Sequence, residues 1–418
     1  MEKTFTIEEI VERVILFAAN VDGDEDAVFD SLDELEELAT TAGAITIQKV
    51  LQNRHKLDPA TYIGKGKVQE LKEDIMKHDI TTAICDDELS PVQMKNLQKE
   101  LGIKVIDRTI LILDIFAKHA RTSEGILQVE LAQQQYRLSH LIGFGENMSR
   151  AGAGIGTRGP GEKKLETDRR IIRKRIDILR AEMMKVKQNR QLLRDNRKKQ
   201  GKPLIAIVGY TNSGKSTLLY KLTHADVLEE NKLFATLDPT TRKLELAEGT
   251  ELLLTDTVGF IRKLPHHLIQ AFQSTLEEAV FADLLIHVVD ASSPQVMAQM
   301  AVVYETLTTL GAKDKTIITA FNKIDKEGVD LTIKDIHDNP SVYISAVTGE
   351  GLDTLLEKID QEINQDKIFI MTTIPYDKGS VLQIIREQGQ IKLERYDEDG
   401  TYIEAYLDEA LVNKFQLR

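Results

Sequence analysis

The stretch that most narrows the possibilities is Gly209-Tyr210-Thr211-Asn212-Ser213-Gly214-Lys215-Ser216. An apolar run, Leu204 to Val208, precedes it, and a helical stretch, Thr217 to Leu222, follows. Strand, glycine-bounded loop and helix in that order form a phosphate cradle. The glycines let the backbone curl, so that successive N–H groups and the helix N-terminus point at phosphate oxygens. Lys215 then reaches the β- and γ-phosphates, and the Ser216 hydroxyl can ligate Mg²⁺. The context predicts an α/β domain with the ligand at the strand ends.

Later motifs in residues 203–364 settle the base. Leu252 to Leu254 reads as a strand delivering Asp256-Thr257-Val258-Gly259. Asp256 can hold Mg²⁺ through water, and the Gly259 N–H can sense a γ-phosphate. Two further buried strands are expected at Ile286 to Val289 and Ile317 to Phe321, the second ending in Asn322-Lys323-Ile324-Asp325. The Asp325 carboxylate can accept from N1–H and the 2-amino group of guanine. Adenine has neither donor, so a buried Asp325 would be left unpaired and reject it. Ser345-Ala346-Val347 follows a strand at Val342 to Ile344 and can offer the Ala346 N–H to guanine O6. The ordered set makes GTP and GDP the expected ligands, with Lys215 and Gly259 as the catalytic candidates. Between the phosphate loop and Asp256 lies Phe234-Ala235-Thr236-Leu237-Asp238-Pro239-Thr240-Thr241. One threonine here should complete the Mg²⁺ shell, Thr236 first and Thr240 second.

Charge is informative by its distribution. The 418 residues carry −13 in total, yet residues 150–202 hold 18 Lys/Arg against 6 Asp/Glu, so a local +12 sits in a chain that is otherwise −25. Leu127, Leu131, Gln134, Leu138 and Leu141 are spaced 4, 3, 4, 3. Leu165, Ile172, Ile176, Leu179, Met183, Val186 and Leu193 continue the seam on a second helix reaching Lys199. This heptad pattern predicts an antiparallel coiled-coil hairpin over residues 123–202. A seam that narrow buries little, so the hairpin is expected to stand away from the body as an arm. Residues 142–164 read as its tip loop, with seven glycines plus Arg150, Arg158, Lys163 and Lys164. Glycine permits close backbone approach and arginine forks onto phosphate, so the arm points to RNA.

Residues 1–122 alternate short strands and helices, which predicts a small α/β domain with a parallel sheet. Gly64-Lys65-Gly66-Lys67 lies at a helix start and could hold a phosphate, but a surface turn is the favoured reading. Residues 365–418 read as a small acidic α+β domain; nothing there points to catalysis, and its acidity points to protein rather than RNA contact. The single cysteine, Cys85, rules out an internal disulfide and fits a reducing cytosol, hence a cytoplasmic expectation. No apolar run is long enough for a membrane span. A monomer is expected.

Together these motifs resemble the HflX family of translation-factor-like GTPases over essentially the whole chain. The specific signs are Gly154-Ile155-Gly156-Thr157-Arg158-Gly159-Pro160-Gly161-Glu162, then Leu165-Glu166 and Asp168-Arg169-Arg170, and the pairing of Phe234-Ala235-Thr236-Leu237-Asp238 with Asp256-Thr257-Val258-Gly259-Phe260. The resemblance implies association with the large ribosomal subunit and, in several members, splitting of stalled or idle ribosomes under stress. It also implies Ser216 and Thr236 as Mg²⁺ ligands and Phe234 to Asp238 as the switch segment. The alternative is a GTPase whose basic arm docks on a protein or membrane without acting on ribosomes.

Many GTPases carry a water-orienting glutamine directly after the Asp-x-x-Gly motif. Here Phe260 stands there, so hydrolysis should be slow alone and be stimulated by the ribosome. Asn212 has two readings. It either helps hold K⁺ beside the phosphates or bonds its own loop backbone.

Overall fold

Four parallel strands open the chain in this computed structural model. The structure describes residues 11–151, 160–199, 202–224, 233–234, 239–246, 250–263, 265, 268, 273–365 and 367–417. Contacts divide the chain into two units, Met1–Met183 with Lys263–Ala271 and Met184–Arg262 with Phe272–Arg418.

In the first unit β1 (Arg13–Asn20), β2 (Ile45–Asn53), β3 (Thr82–Cys85) and β4 (Lys104–Asp107) form a sheet of order β2-β1-β3-β4, all parallel. Four helices alternate with them: α1 (Glu25–Ala42), α2 (Lys65–His78), α3 (Pro91–Leu101) and α4 (Arg108–His119). Their starts are written in the sequence. Asp24 accepts from Ala27 N to cap α1, and Asp107 accepts from Ile110 N to cap α4. Ser90 and Gln93 form a full capping box, with Pro91 in the first turn of α3. Gly64 caps α2 and Lys65, Gly66 and Lys67 fall in its first turn, so the stretch begins a helix rather than forming a surface turn. Ile15, Phe17, Leu71, Ala83, Cys85 and Leu97 share one core.

The hairpin helices are longer than the sequence implied. α5 runs Ser123–Ala151 and α6 runs Pro160–Lys199. Much of the expected tip loop is therefore helix, and residues 152–159 lie outside the described residues. Gly143 and Gly145 do not stop α5, because an interior glycine costs only about 1 kcal/mol each while its neighbours are ordinary helix formers. The seam itself forms as read: Leu131, Ile176 and Leu179 pack together with Leu127, Leu138 and Ile172 beside them. Arg175 forks onto Glu130 across it at 2.6 and 2.7 Å. The base of the hairpin does not stand free. α5 packs on α3 and α4, with Tyr136 donating to Asp107 at 2.9 Å and His140 Nε2 3.2 Å from the Leu89 carbonyl. Heptad counting finds one face of a helix. It cannot see a second contact made by residues between the seam positions.

The second unit contains a six-stranded sheet of order β10-β9-β8-β5-β7-β6. Its strands are β5 (Leu204–Gly209), β6 (Thr240–Glu245), β7 (Glu251–Asp256), β8 (Leu284–Asp290), β9 (Thr316–Asn322) and β10 (Ser341–Tyr343). All pairs are parallel except β6, which runs antiparallel to β7 at the edge. Helices α7 (Lys215–Thr223), α8 (Gln273–Phe281), α9 (Val296–Leu310) and α10 (Leu352–Asn364) accompany it. The β5, β8 and β9 residues are buried almost throughout, as expected for a parallel sheet covered on both faces.

The last segment is an antiparallel sheet of β11 (Lys367–Ile374), β12 (Gln390–Asp397) and β13 (Gly400–Asp408) in the order β11-β13-β12. Helices α11 (Gly379–Gln388) and α12 (Glu409–Phe415) pack with its buried Ile370, Ile374, Ile403 and Leu407. Among the described residues no helix is long and apolar enough to cross a membrane.

Candidate nucleotide site

The ends of β5, β8 and β9 and the loop after β10 meet around residues 209–216. β5 stops at Gly209 and α7 starts at Lys215. At the junction Gly214 has φ +97°, and a Cβ there would lie 2.2 Å from Asn322 Nδ2. Only glycine fits, because Asn322 leans directly onto the loop. Its Nδ2 donates to the Ser213 carbonyl at 2.8 Å, while its Oδ1 accepts from Ala346 N at 2.9 Å. One buried amide thus ties the phosphate loop, the guanine motif and the Ser345-Ala346-Val347 turn together. Lys323 adds a second tie, donating to the Asn212 carbonyl at 2.7 Å and pairing with Asp290 at 2.7 Å.

At the base end, Ile324 N donates to the Ile344 carbonyl and Ser345 Oγ donates to Asp325 Oδ1 at 2.6 Å. Asp325 is exposed rather than buried. The hydroxyl of Ser345 orients this carboxylate. Val347 is exposed too, and its carbonyl accepts from Lys221 at 3.3 Å.

At the phosphate end, Lys215 is buried and its Nζ donates to the Tyr210 carbonyl at 2.8 Å. Burial pushes its pKa down to about 8, against the pull of Asp256 and with help from Lys323. Phosphate oxygens placed here would raise it again, since an opposite charge favours the charged form. Thr211 Oγ1 and Ser213 Oγ are buried and meet no partner among the described residues. Such orphaned polar atoms fit a loop shaped for an oxygen-rich ligand.

Ser216 Oγ donates to Asp256 Oδ2 at 2.7 Å. A hydroxyl and a carboxylate converging beside the phosphate loop are hard oxygen donors, which suit Mg²⁺. No cluster of three or more His, Cys, Asp or Glu able to hold a metal occurs among the described residues. Of the switch segment, Phe234 is buried, while Ala235, Thr236, Leu237 and Asp238 lie outside the described residues. Thr240 opens β6 and pairs with Asp256 in the antiparallel register.

After β7 the chain turns back onto the phosphate loop. Thr257 Oγ1 donates to the Ile207 carbonyl at 2.7 Å. Val258, Phe260 and Ile261 are buried, and Gly259 is so close that a Cβ would fall 2.9 Å from Lys215 Nζ. The side chain of Asn212 is exposed and makes no hydrogen bond among the described residues.

Known proteins match this arrangement along the whole chain. Four family models cover it in sequence: a GTP-binding GTPase N-terminal region (residues 29–117), a GTP-binding GTPase middle region (119–197), a 50S ribosome-binding GTPase (204–323) and the HflX C-terminal domain (330–414). GTPase HflX of Lacrimispora saccharolytica is 54% identical over 98% of this chain and 97% of its own. The chain belongs to the HflX family of GTPases. GTPase HflX of Escherichia coli is 38% identical over 90% of this chain and 89% of its own. Among solved structures, a GTP-binding protein from Sulfolobus solfataricus in complex with GDP is 26% identical, covers 85% of this chain and 99% of that one, and has a TM-score of 0.45.

As an HflX-family member the protein binds guanine nucleotide and hydrolyses GTP to GDP and phosphate. Two of its site features escape motif reading. Asp290 pairs with Lys323, and the available signal was an acid ending the buried apolar strand next to β9. The Tyr210 hydroxyl accepts from Arg262 N at 2.9 Å, and no spacing rule announces that contact.

Proposed function

We propose that this HflX-family GTPase associates with the large ribosomal subunit in its GTP form and dissociates stalled or idle ribosomes under stress. The observation that carries the reading is the match of residues 204–323 to a 50S ribosome-binding GTPase, joined to a nucleotide site whose parts meet. The basic hairpin supplies the contact to ribosomal RNA. Arg150 lies near the end of α5, Lys163 and Lys164 lie in the first two turns of α6, and Arg158 lies outside the described residues. Such a cluster neutralises phosphates and releases counterions.

In the reaction, the amides of the phosphate loop and the Lys215 ammonium hold the β- and γ-phosphates. They sit where negative charge develops during transfer. Ser216 and Thr236 would hold Mg²⁺, with Asp256 reaching it through water, and the ion offsets that charge when bound. The Gly259 N–H takes a γ-phosphate oxygen. Phe260 offers no side-chain hydrogen bond to the attacking water, so hydrolysis is slow until the ribosome completes the arrangement. A potassium ion beside Asn212 would add positive charge at the same place.

Co-sedimentation with 50S subunits and whole ribosomes, comparing a GTP analogue with GDP, tests the reading. GTP-dependent pelleting with subunits and loss of whole ribosomes is the expected result. Changing Arg150, Arg158, Lys163 and Lys164 together to alanine should abolish pelleting and leave nucleotide affinity intact. Pelleting that ignores both the nucleotide and these changes would refute the reading; binding to anionic vesicles instead would favour a membrane partner.

A further inference from the structure

The segment after Gly259 is held on the phosphate loop by three hydrogen bonds. Phe260 N donates to the Gly209 carbonyl at 3.1 Å, and Thr211 N donates to the Phe260 carbonyl at 2.8 Å. These make a parallel bridge between Tyr210 and Phe260, which extends the strand pairing of β5 and β7 beyond its last pair, Ile207 with Asp256. The third bond, from Arg262 N to the Tyr210 hydroxyl at 2.9 Å, is the only one of the three made by a side chain. Tyr210 itself is 5% exposed, so its hydroxyl is fixed in place.

This closure brings Gly259 against the place that a γ-phosphate needs. A Cβ on Gly259 would meet Thr211 Cγ2 at 2.8 Å, Thr211 Cα at 2.9 Å and Lys215 Nζ at 2.9 Å. A γ-phosphoryl group has to come between the Lys215 ammonium and the Gly259 N–H, touching both. On our reading Gly259 backs away to admit it, and the bridge behind it opens. GDP ends at the β-phosphate and makes no such demand.

We infer that Tyr210 is a specificity-determining residue: its hydroxyl latches residues 260–262 onto the phosphate loop and so weakens GTP relative to GDP. The ligand has to break the latch to bind, and its apparent affinity falls by the fraction of molecules in which the latch is open. This goes beyond ribosome association and does not depend on it.

The test is Tyr210→Phe in the full-length protein, which keeps the ring and removes the hydroxyl that accepts from Arg262 N. One hydrogen bond of ordinary net strength corresponds to about two- to twelve-fold in an equilibrium. Affinity for GMPPNP should rise by that factor while GDP affinity stays within two-fold. Amide exchange supplies an independent readout. Without nucleotide, the Arg262 amide should be protected in the wild type, exposed by GMPPNP, and already exposed in Tyr210→Phe. An unchanged ratio of the two affinities, or equal shifts for both nucleotides, would overturn the latch. So would an Arg262 amide that stays protected when GMPPNP is bound. Tyr210→Trp, bulky but unable to accept, guards against a folding artefact: it should show the same loss of Arg262 protection, and retained protection would again refute the assignment.

Discussion

His287 lies in the middle of β8, wholly buried, with its Nδ1 unpartnered among the described residues and the Tyr304 ring edge-on at 5.1 Å. Burial lowers its pKa from 6.5 to about 4; Lys215 adds to the shift and Asp335 opposes it. The folded state therefore keeps the imidazole neutral where the unfolded chain would protonate it. Stability linked to this group is complete above about pH 6.5 and is lost as the pH falls towards 4. With those two values, the loss at about pH 5 works out to about 2 kcal/mol, while at about pH 7.5 it is close to zero. Replacing His287 with leucine removes the titration. Urea unfolding followed by circular dichroism at both pH values, for both proteins, measures the difference. The wild type should lose about 2 kcal/mol more than His287→Leu on acidification. Equal losses would show that the ring is hydrated or charged in the folded protein, and the burial argument would fail.

Gly214→Ala forces a side chain into a left-handed backbone and against Asn322, so GDP affinity measured by titration should fall at least about ten-fold. Asp325→Asn should cost GTP about 2 kcal/mol and favour xanthine nucleotides, since an amide can donate to the 2-oxo group; unchanged GTP affinity would remove Asp325 from the base site. GTP hydrolysis should run faster in potassium than in sodium at equal ionic strength, and Asn212→Ala should erase the difference; equal rates with and without ribosomal subunits would leave Asn212 without a cation role.

How much was legible follows from the range of each signal. Short signals with a local cause read well. The apolar runs at 204–208 and 317–321 fall inside β5 and β9. The edge strand β6 was invisible because Thr240 to Glu245 is polar and only partly buried, so nothing distinguishes it from a loop until Glu251–Asp256 is beside it. Helix ends in the hairpin were misjudged because glycine lowers helix propensity without forbidding it. At the site, the motifs name which residues gather. They do not say which bond to which, because the Asn322 to Ser213 contact spans 109 residues and depends on the sheet order. The exposure of Asp325 was likewise a tertiary matter.

The amide of Asn322 has a thermodynamic consequence. It is bonded to the phosphate loop through Ser213 and to the Ser345-Ala346-Val347 turn through Ala346. On the proposed placement of the nucleotide, a guanine at the turn would steady the Ser213 carbonyl, and phosphates in the loop would steady the turn. Such coupling is reciprocal. Guanosine and inorganic pyrophosphate, bound separately, should therefore sum to less than GDP by more than the entropy of joining them. In Asn322→Ala the two fragments should become nearly indifferent to one another.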